Sequence, residues 1–315
     1  MNPALLPGNV SLNVVGARLS EPLRDGQAAA ARRAARRKQA RWVTSWLVFL
    51  AILLSFLAAP NEAQAQRRRG GYYYSNAPEW PIEPSFKNDT FVFARVRYSS
   101  GRGRFGYGGR GGWDTDWPDA EWNLATRLKQ MTSLNVEPEG VIIDLTDPEL
   151  YNYPFIYIVE PGGLVFQSDE VPALRKYLLN GGFLMVDDFW GEREWYNFAD
   201  QLKRVFPDRE PQEIPLEHEI FHIVFDLKEK PQIPNVQTGT ESEITGITWE
   251  RPDARTPFFK ALYDDKGRMM VIICHNTDLG DGWEREGENI YYFREFSEKK
   301  AFPLGINIIF YAMTH

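Results

Sequence analysis

Tyr177–Gly191, YLLNGGFLMVDDFWG, is the stretch from which the fold of this chain is read. It presents a helix end, a Gly-Gly stop, a short buried strand and a loop of acids and aromatics. Gly181 and Gly182 allow the left-handed backbone that closes a helix. Phe183–Val186 is an apolar run of strand length. Asp187, Asp188, Phe189, Trp190 and Gly191 follow directly. Open α/β sheets bind ligands beyond the carboxyl ends of their strands, so this loop is the first candidate for a site.

The flanking sequence repeats the pattern. Phe91–Tyr98 (FVFARVRY) reads as a strand from its β-branched and aromatic content and its alternation. Val141–Leu145 (VIIDL) and Phe155–Val159 (FIYIV) are apolar on both faces, the signature of central strands in a parallel sheet. Asp119 is expected to cap a helix over Ala120–Met131, and Ser168 one over Asp169–Leu179. Glu192–Phe206 is amphipathic on Trp195, Phe198, Ala199, Leu202, Val205 and Phe206, and ends at Pro207. Strands alternating with helices in this way predict an α/β fold, a three-layer sandwich around a mainly parallel sheet. Further on, Gly246–Trp249, Phe258–Tyr263 and Arg268–Cys274 are expected strands, the last two joined by a turn at Asp264–Gly267. Asn276–Glu288 reads as an acidic loop, and Glu288–Phe296 and Gly305–Met313 as closing helices.

Overall charge is −7, which argues against a nucleic-acid partner. Residues 1–65 hold eight Lys and Arg against three acids, leaving 28 basic and 40 acidic residues in the remainder. Arg32, Arg33, Arg36, Arg37, Lys38 and Arg41 precede the charge-free apolar run Val43–Ala59, and Ala63-Gln64-Ala65 has the small-x-small form of a signal-peptidase site. Residues 1–65 are therefore expected to be a signal peptide or an uncleaved N-terminal anchor, with membrane contact confined to that segment. The rest is expected to lie across the inner membrane, periplasmic or anchored. Residues 66–85, rich in Arg, Gly, Tyr and Pro, read as a flexible linker, and 86–315 as a single domain. A lone cysteine, Cys274, excludes an intrachain disulfide framework; its apolar surroundings suit a small buried side chain.

Several groups carry chemistry. Asp187 and Asp188 are adjacent, so on a strand they point to opposite faces. With Phe189, Trp190, Glu192, Glu160 and His218 or His222 they form the candidate ligand-binding crevice; the bland alternative is that an aspartate caps the next helix. Trp113 and Trp117 are either stacking surfaces or packing. His218-Glu219-Ile220-Phe221-His222 matches the zinc pattern HExxH, but Pro215 and the extended Ile223–Phe225 oppose the helix that pattern needs. His218 and His222 stay as alternative metal ligands of a hydrolase. No GxSxG elbow is present, and the glycine-rich Ser99–Gly112 lacks the Lys-Ser/Thr of a phosphate loop. No cofactor is implied.

FVFARVRYS, FIYIVEPGG, LRKYLLNGGFLMVDDFWG and PLEHEIFHIVFDL, in this order, resemble the bacterial domain of unknown function 4159 family, from about Phe86 to the C-terminus. The resemblance implies a class I glutamine-amidotransferase-like, flavodoxin-like fold. In an active amidotransferase the helix, Gly-Gly and strand lead to a nucleophilic cysteine. Here Asp187 and Asp188 occupy that place, so that activity is not carried over. Neighbouring genes in the family imply envelope partners of the AAA+ ATPase and von Willebrand A types. Three readings stand: a non-amidotransferase domain binding a ligand or partner, a metal-assisted hydrolase through His218, His222 and a crevice acid, and a structural envelope subunit.

Overall fold

The structure, a computed structural model, describes residues 80–82, 89–101 and 112–315. The chain divides into two compact units, Met1–Gly70 and Gly71–His315, and every described residue belongs to the second. The expected export segment, most of the linker and glycine-rich residues 102–111 lie outside the described residues. Among the described residues no helix is long and apolar enough to cross a membrane.

A seven-stranded sheet forms the centre. Its order is β5 (Val141–Ile143), β2 (Ala94–Val96), β6 (Phe155–Val159), β8 (Phe183–Asp187), β11 (Met269–His275), β10 (Phe258–Tyr263) and β9 (Gln212–Glu213). The first five run parallel, while β10 and β9 add antiparallel, so the sheet is mixed but mainly parallel. In chain order the parallel strands stand second, first, third, fourth, fifth. The winding direction therefore reverses between β2 and β6, the point at which such sheets open a crevice. Two small pairs flank the sheet: β1 (Thr90–Phe91) with β4 (Asn135–Val136), and β3 (Ser99–Ser100) with β7 (Leu164–Val165).

Helices cover both faces because the strands are apolar on both. On β6, Phe155, Tyr157 and Val159 enter one core, and Ile156 and Ile158 the other. The first core is closed by α1 (Asp119–Met131), by the short α5 (Leu279–Glu284), and by the C-terminal helix. The second is closed by α2 (Glu170–Leu179) and α3 (Gly191–Val205). α4 (Val236–Thr245) lies between β9 and β10 in the chain. At the C-terminus, α6 (Ile290–Tyr292), a π-helical stretch Phe293–Ala301 and α7 (Phe302–Thr314) run on without a break. The two closing helices expected from sequence are thus one.

The Gly-Gly pair works through two different effects. Gly181 has φ 107° with open space where a side chain would be, a backbone that only glycine adopts cheaply. Gly182 is closed in by the Tyr177 ring, which stands where its Cβ would be. That ring cannot move aside freely, because Tyr177 Oη donates to the Tyr153 carbonyl at 2.7 Å. Gly182→Ala is therefore expected to cost about 1–3 kcal/mol by overpacking, read as a lowered midpoint in urea denaturation.

Other local expectations are corrected. Phe91–Tyr98 is not one strand: its residues fall in β1 and β2, with β3 just after, in three separate sheets. β5 is an edge strand rather than a central one, and Ile142 is accordingly 39% exposed. Gly246–Trp249 is not a strand. Gly246, at φ 66°, closes α4 by donating to the Ser242 carbonyl. The Thr- and Ser-rich α4 has weak helix propensity and depends on its cap, Asn235 Oδ1 accepting from Thr238 N at 2.9 Å. Neither Asp119 nor Ser168 caps a helix; α1 begins after Pro118 and α2 after Asp169.

Candidate functional site

The site is built from the carboxyl ends of β2, β6, β8 and β11 on the face covered by α1 and α5. Arg95 on β2 is fully buried. Its Nε donates to Glu121 Oε1 of α1 at 2.5 Å, and Nη1 donates to the carbonyls of Trp113 and Thr115. The guanidinium lies 5.1 Å from the Tyr157 ring centre and 5.8 Å from that of Trp117. Burial works against its charge, but Glu121 and its other neighbours keep its pKa above the usual arginine value. Arg95 thereby ties the segment Trp113–Trp117, including Asp116, to the sheet.

Asp187 ends β8 fully buried. Its Oδ2 accepts from Leu279 N at 2.8 Å, Gly280 N at 3.1 Å and Tyr157 Oη at 3.1 Å. It therefore caps a helix, as the bland reading supposed, but the helix is α5, ninety-two residues away in the chain, and not α3. Gly280 is small for a reason: a Cβ there would stand against Asp116 Oδ2 and 3.2 Å from Tyr157 Oη. Asp116, Asp187 and the start of α5 thus close on one point.

Around that point carboxylates accumulate. Single oxygens of Asp116, Asp281 and Glu284 lie within 4.8 Å of one another, a spacing that can surround one metal ion. Asp278 caps α5 by accepting from Asp281 N at 2.7 Å, and Asp281 Oδ2 accepts from Val236 N at 2.8 Å. Arg285 Nε stands 2.6 Å from Glu284 Oε2 and 3.6 Å from Asp281 Oδ1. Burial raises the Asp116 pKa well above the carboxylate range, reinforced by Asp281 and Glu284 and opposed by Arg95. Burial likewise raises Asp187, with Asp188 adding to it, and Asp278. Glu284 is pushed up to about 7 by burial, against the pull of Arg285.

Backbone strain gathers at the same edge. Asp116 (φ 63°), Glu160 (φ 47°), Asp188 (φ 54°) and Asn276 (φ 61°) all adopt left-handed backbone without being glycine. Each such residue costs on the order of 1–3 kcal/mol, and they cluster at functional sites. Glu160 follows β6, where its amide donates to the Asp187 carbonyl at 3.1 Å. Asp188 sits on the turn between β8 and α3, and its Oδ1 accepts from Trp190 Nε1 at 2.9 Å.

The remaining sequence candidates separate. Phe189 and Trp190 are fully buried: Phe189 packs on Phe198, Trp195 and His275, and Trp190 precedes α3 as its N-cap residue. Both are packing side chains. Glu192 is exposed at the rim, its amide donating to Asp253 Oδ2. His218 and His222 are not brought to the acids. His218 lies with its ring tilted against Tyr311, which touches Phe183 at the amino end of β8, four residues from Asp187. Its Nδ1 accepts from Ile220 N, while His222 is held by Asp226 and the Leu216 carbonyl. Asp144 pairs with Arg97 in solvent, and Cys274 is buried, as its apolar surroundings suggest.

Arg95, Asp116, Asp278, Asp281 and Glu284 were not singled out from sequence. The helix start Asp278-Leu279-Gly280-Asp281 was the available signal, an aspartate three residues before the amide it caps. A strand arginine opposite a helix glutamate was the other.

The model of one family, the domain of unknown function (DUF4159), matches residues 92–313, and the chain belongs to that family. No curated protein matches the sequence.

Proposed function

We propose that this member of the DUF4159 family is an exported cell-envelope domain that binds a ligand or partner at its acid-lined carboxyl edge and does not hydrolyse glutamine. The observation that carries this reading is Asp188. It stands at φ 54° on the sharp turn from β8 into α3, and a strained strand-to-helix turn is where an elbow enzyme holds its nucleophile. A carboxylate in that place cannot attack and pass on an acyl group as a thiolate does. The strand order is the doubly wound order of flavodoxin-like folds, which supports the amidotransferase-like reading. Export rests on the basic and apolar run before Ala63-Gln64-Ala65. AAA+ ATPases and von Willebrand A proteins of the envelope are the partners to examine first, on the family resemblance.

Two measurements test this. Purified full-length protein is expected to release no ammonia from glutamine, and any turnover above the enzyme-free background would overturn that part of the reading. A photo-crosslinking residue placed at Glu192, the exposed rim position, is expected to trap a partner or ligand in the envelope fraction. The same residue placed at Glu243, on exposed α4, is expected to trap none. Equal trapping at both positions, or none at Glu192, would reject the carboxyl edge as the binding surface.

A further inference from the structure

We propose that Asp116, Asp281 and Glu284 bind a divalent metal ion of the hard, oxygen-seeking class. This deepens the reading above, since it names a ligand class for the same edge.

The donor set comes first. The three converging groups are all carboxylates, and oxygen-only ligation suits Ca²⁺, Mg²⁺ or Mn²⁺ rather than the softer metals. Ca²⁺ takes oxygens at about 2.3–2.6 Å and Mg²⁺ at about 2.0–2.1 Å, and oxygens that all lie within 4.8 Å of one another can surround either ion.

The orphaned oxygens point the same way independently. Asp187 Oδ1 and Asp116 Oδ2 are buried without a hydrogen-bond partner. Asp187 is fully buried, and its other oxygen is bonded to the amide of Gly280, against which Asp116 Oδ2 rests. An unpaired buried acceptor is costly, more so when charged, and a cation within the Asp116, Asp281 and Glu284 group supplies the partner that Asp116 Oδ2 lacks.

The local charge balance agrees. Arg95 is committed to Glu121 at 2.5 Å. Arg285 is shared among Glu284, Asp281 and Glu288. Among the described residues Asp116, Asp187 and Asp278 form no ion pair. Arg285 is 35% exposed at the mouth of the cluster, and its Nη1 already donates to Glu288 at 2.7 Å. An entering ion replaces Arg285 Nε at Glu284 Oε2, and the guanidinium keeps Glu288 as its outer partner. Asp281 and Glu284, three apart on α5, share one face of that helix, and Arg95 holds Asp116 opposite them.

The test uses the full-length chain freed of metal with chelator. Tb³⁺, a Ca²⁺ substitute, is titrated with excitation of tryptophan, since Trp117 and Trp283 are the chain neighbours of Asp116 and Glu284, and then displaced with Ca²⁺ or Mg²⁺. One saturable site is expected, displaced by Ca²⁺ or by Mg²⁺, with a Kd for the displacing ion between roughly 10⁻⁶ and 10⁻³ M. Asp281→Asn with Glu284→Gln should weaken it at least about thirtyfold, and Glu284→Gln alone about tenfold, with an unchanged circular dichroism spectrum. Asp226→Asn, in solvent, should leave it unaltered. No saturable signal from folded wild-type protein, or equal binding by the Glu284→Gln variant, overturns the proposal. The Glu192 crosslink separates the two claims: trapping without metal binding removes the ion and leaves the binding edge standing. Metal binding without trapping leaves the ion standing and removes the rim at Glu192 as a docking surface for a further partner.

Discussion

Arg95→Met is expected to destabilise this protein by about 3–5 kcal/mol, because it strands Glu121 as a buried, unpaired charge. Glu121 is 1% exposed and its carboxylate meets Arg95 Nε at 2.5 Å. The same substitution removes the donors that hold the carbonyls of Trp113 and Thr115, so the segment carrying Asp116 loses its anchor. A double variant, Arg95→Met with Glu121→Leu, separates the two contributions. Well-packed apolar side chains often replace a buried pair at little cost, so the double variant should recover a large part of the loss. The two carbonyls stay unsatisfied, so recovery is incomplete. Chemical denaturation of the wild type, both single variants and the double variant gives the coupling energy. A double variant less stable than Arg95→Met alone would show that Glu121 is not stranded by loss of Arg95. Metal binding should remain impaired in the double variant even where stability returns, because Asp116 is still untethered.

Acid sensitivity through His275 is the second large expected effect. This residue ends β11, is 5% exposed, and lies against Phe189, Trp195 and Phe258. Burial pulls its pKa down to about 4; the hydrogen bond to the Gly191 carbonyl and the charge of Asp253 oppose the shift, and Lys260 adds to it. The imidazole is neutral when folded, with Nε2 at 3.1 Å from the Gly191 carbonyl. An unfolded chain takes up a proton near pH 6.5 and the folded one only near pH 4, so between those values the unfolded state binds more protons. Stability from His275 is therefore whole above about pH 6.5 and is lost as pH falls toward 4, by about 3 kcal/mol in all. The raised acids of the crevice act with the opposite sign over an overlapping range, so wild-type stability alone does not isolate the effect. The difference between wild type and His275→Gln does, since glutamine donates to the Gly191 carbonyl but does not titrate. Stability curves that keep a constant separation from pH 7.5 to 4.5 would exclude this role.

The architecture was legible because it depends on patterns only a few residues long. Gly181-Gly182 before Phe183–Val186 announced a helix stop and a buried strand, and FIYIV a strand covered on both faces. Alternating such strands with amphipathic helices leads to a mainly parallel sheet with little freedom left. The errors fell where a tertiary partner outweighed local preference. FVFARVRY alternates like one strand, yet its residues are divided between two different sheets. VIIDL is apolar like a central strand and lies at the edge. Phe189 and Trp190 look like a recognition surface and instead fill the core behind α3.

What the sequence by itself determined is the layered α/β order and the place of Asp187 and Asp188 at a strand end. Both follow from backbone periodicity and from glycine's freedom, which act within a few residues. Only the tertiary structure decided which acids meet. Asp116, Asp187 and the α5 pair Asp281 and Glu284 are distant from one another in the chain, and they are brought to one edge by β8 laid beside β11, α5 seated on the Asp187 carboxylate, and Arg95 drawing the Asp116 segment inward. Their raised pKa values have the same origin, since burial and mutual repulsion arise only once the folded chain has removed these carboxylates from water together.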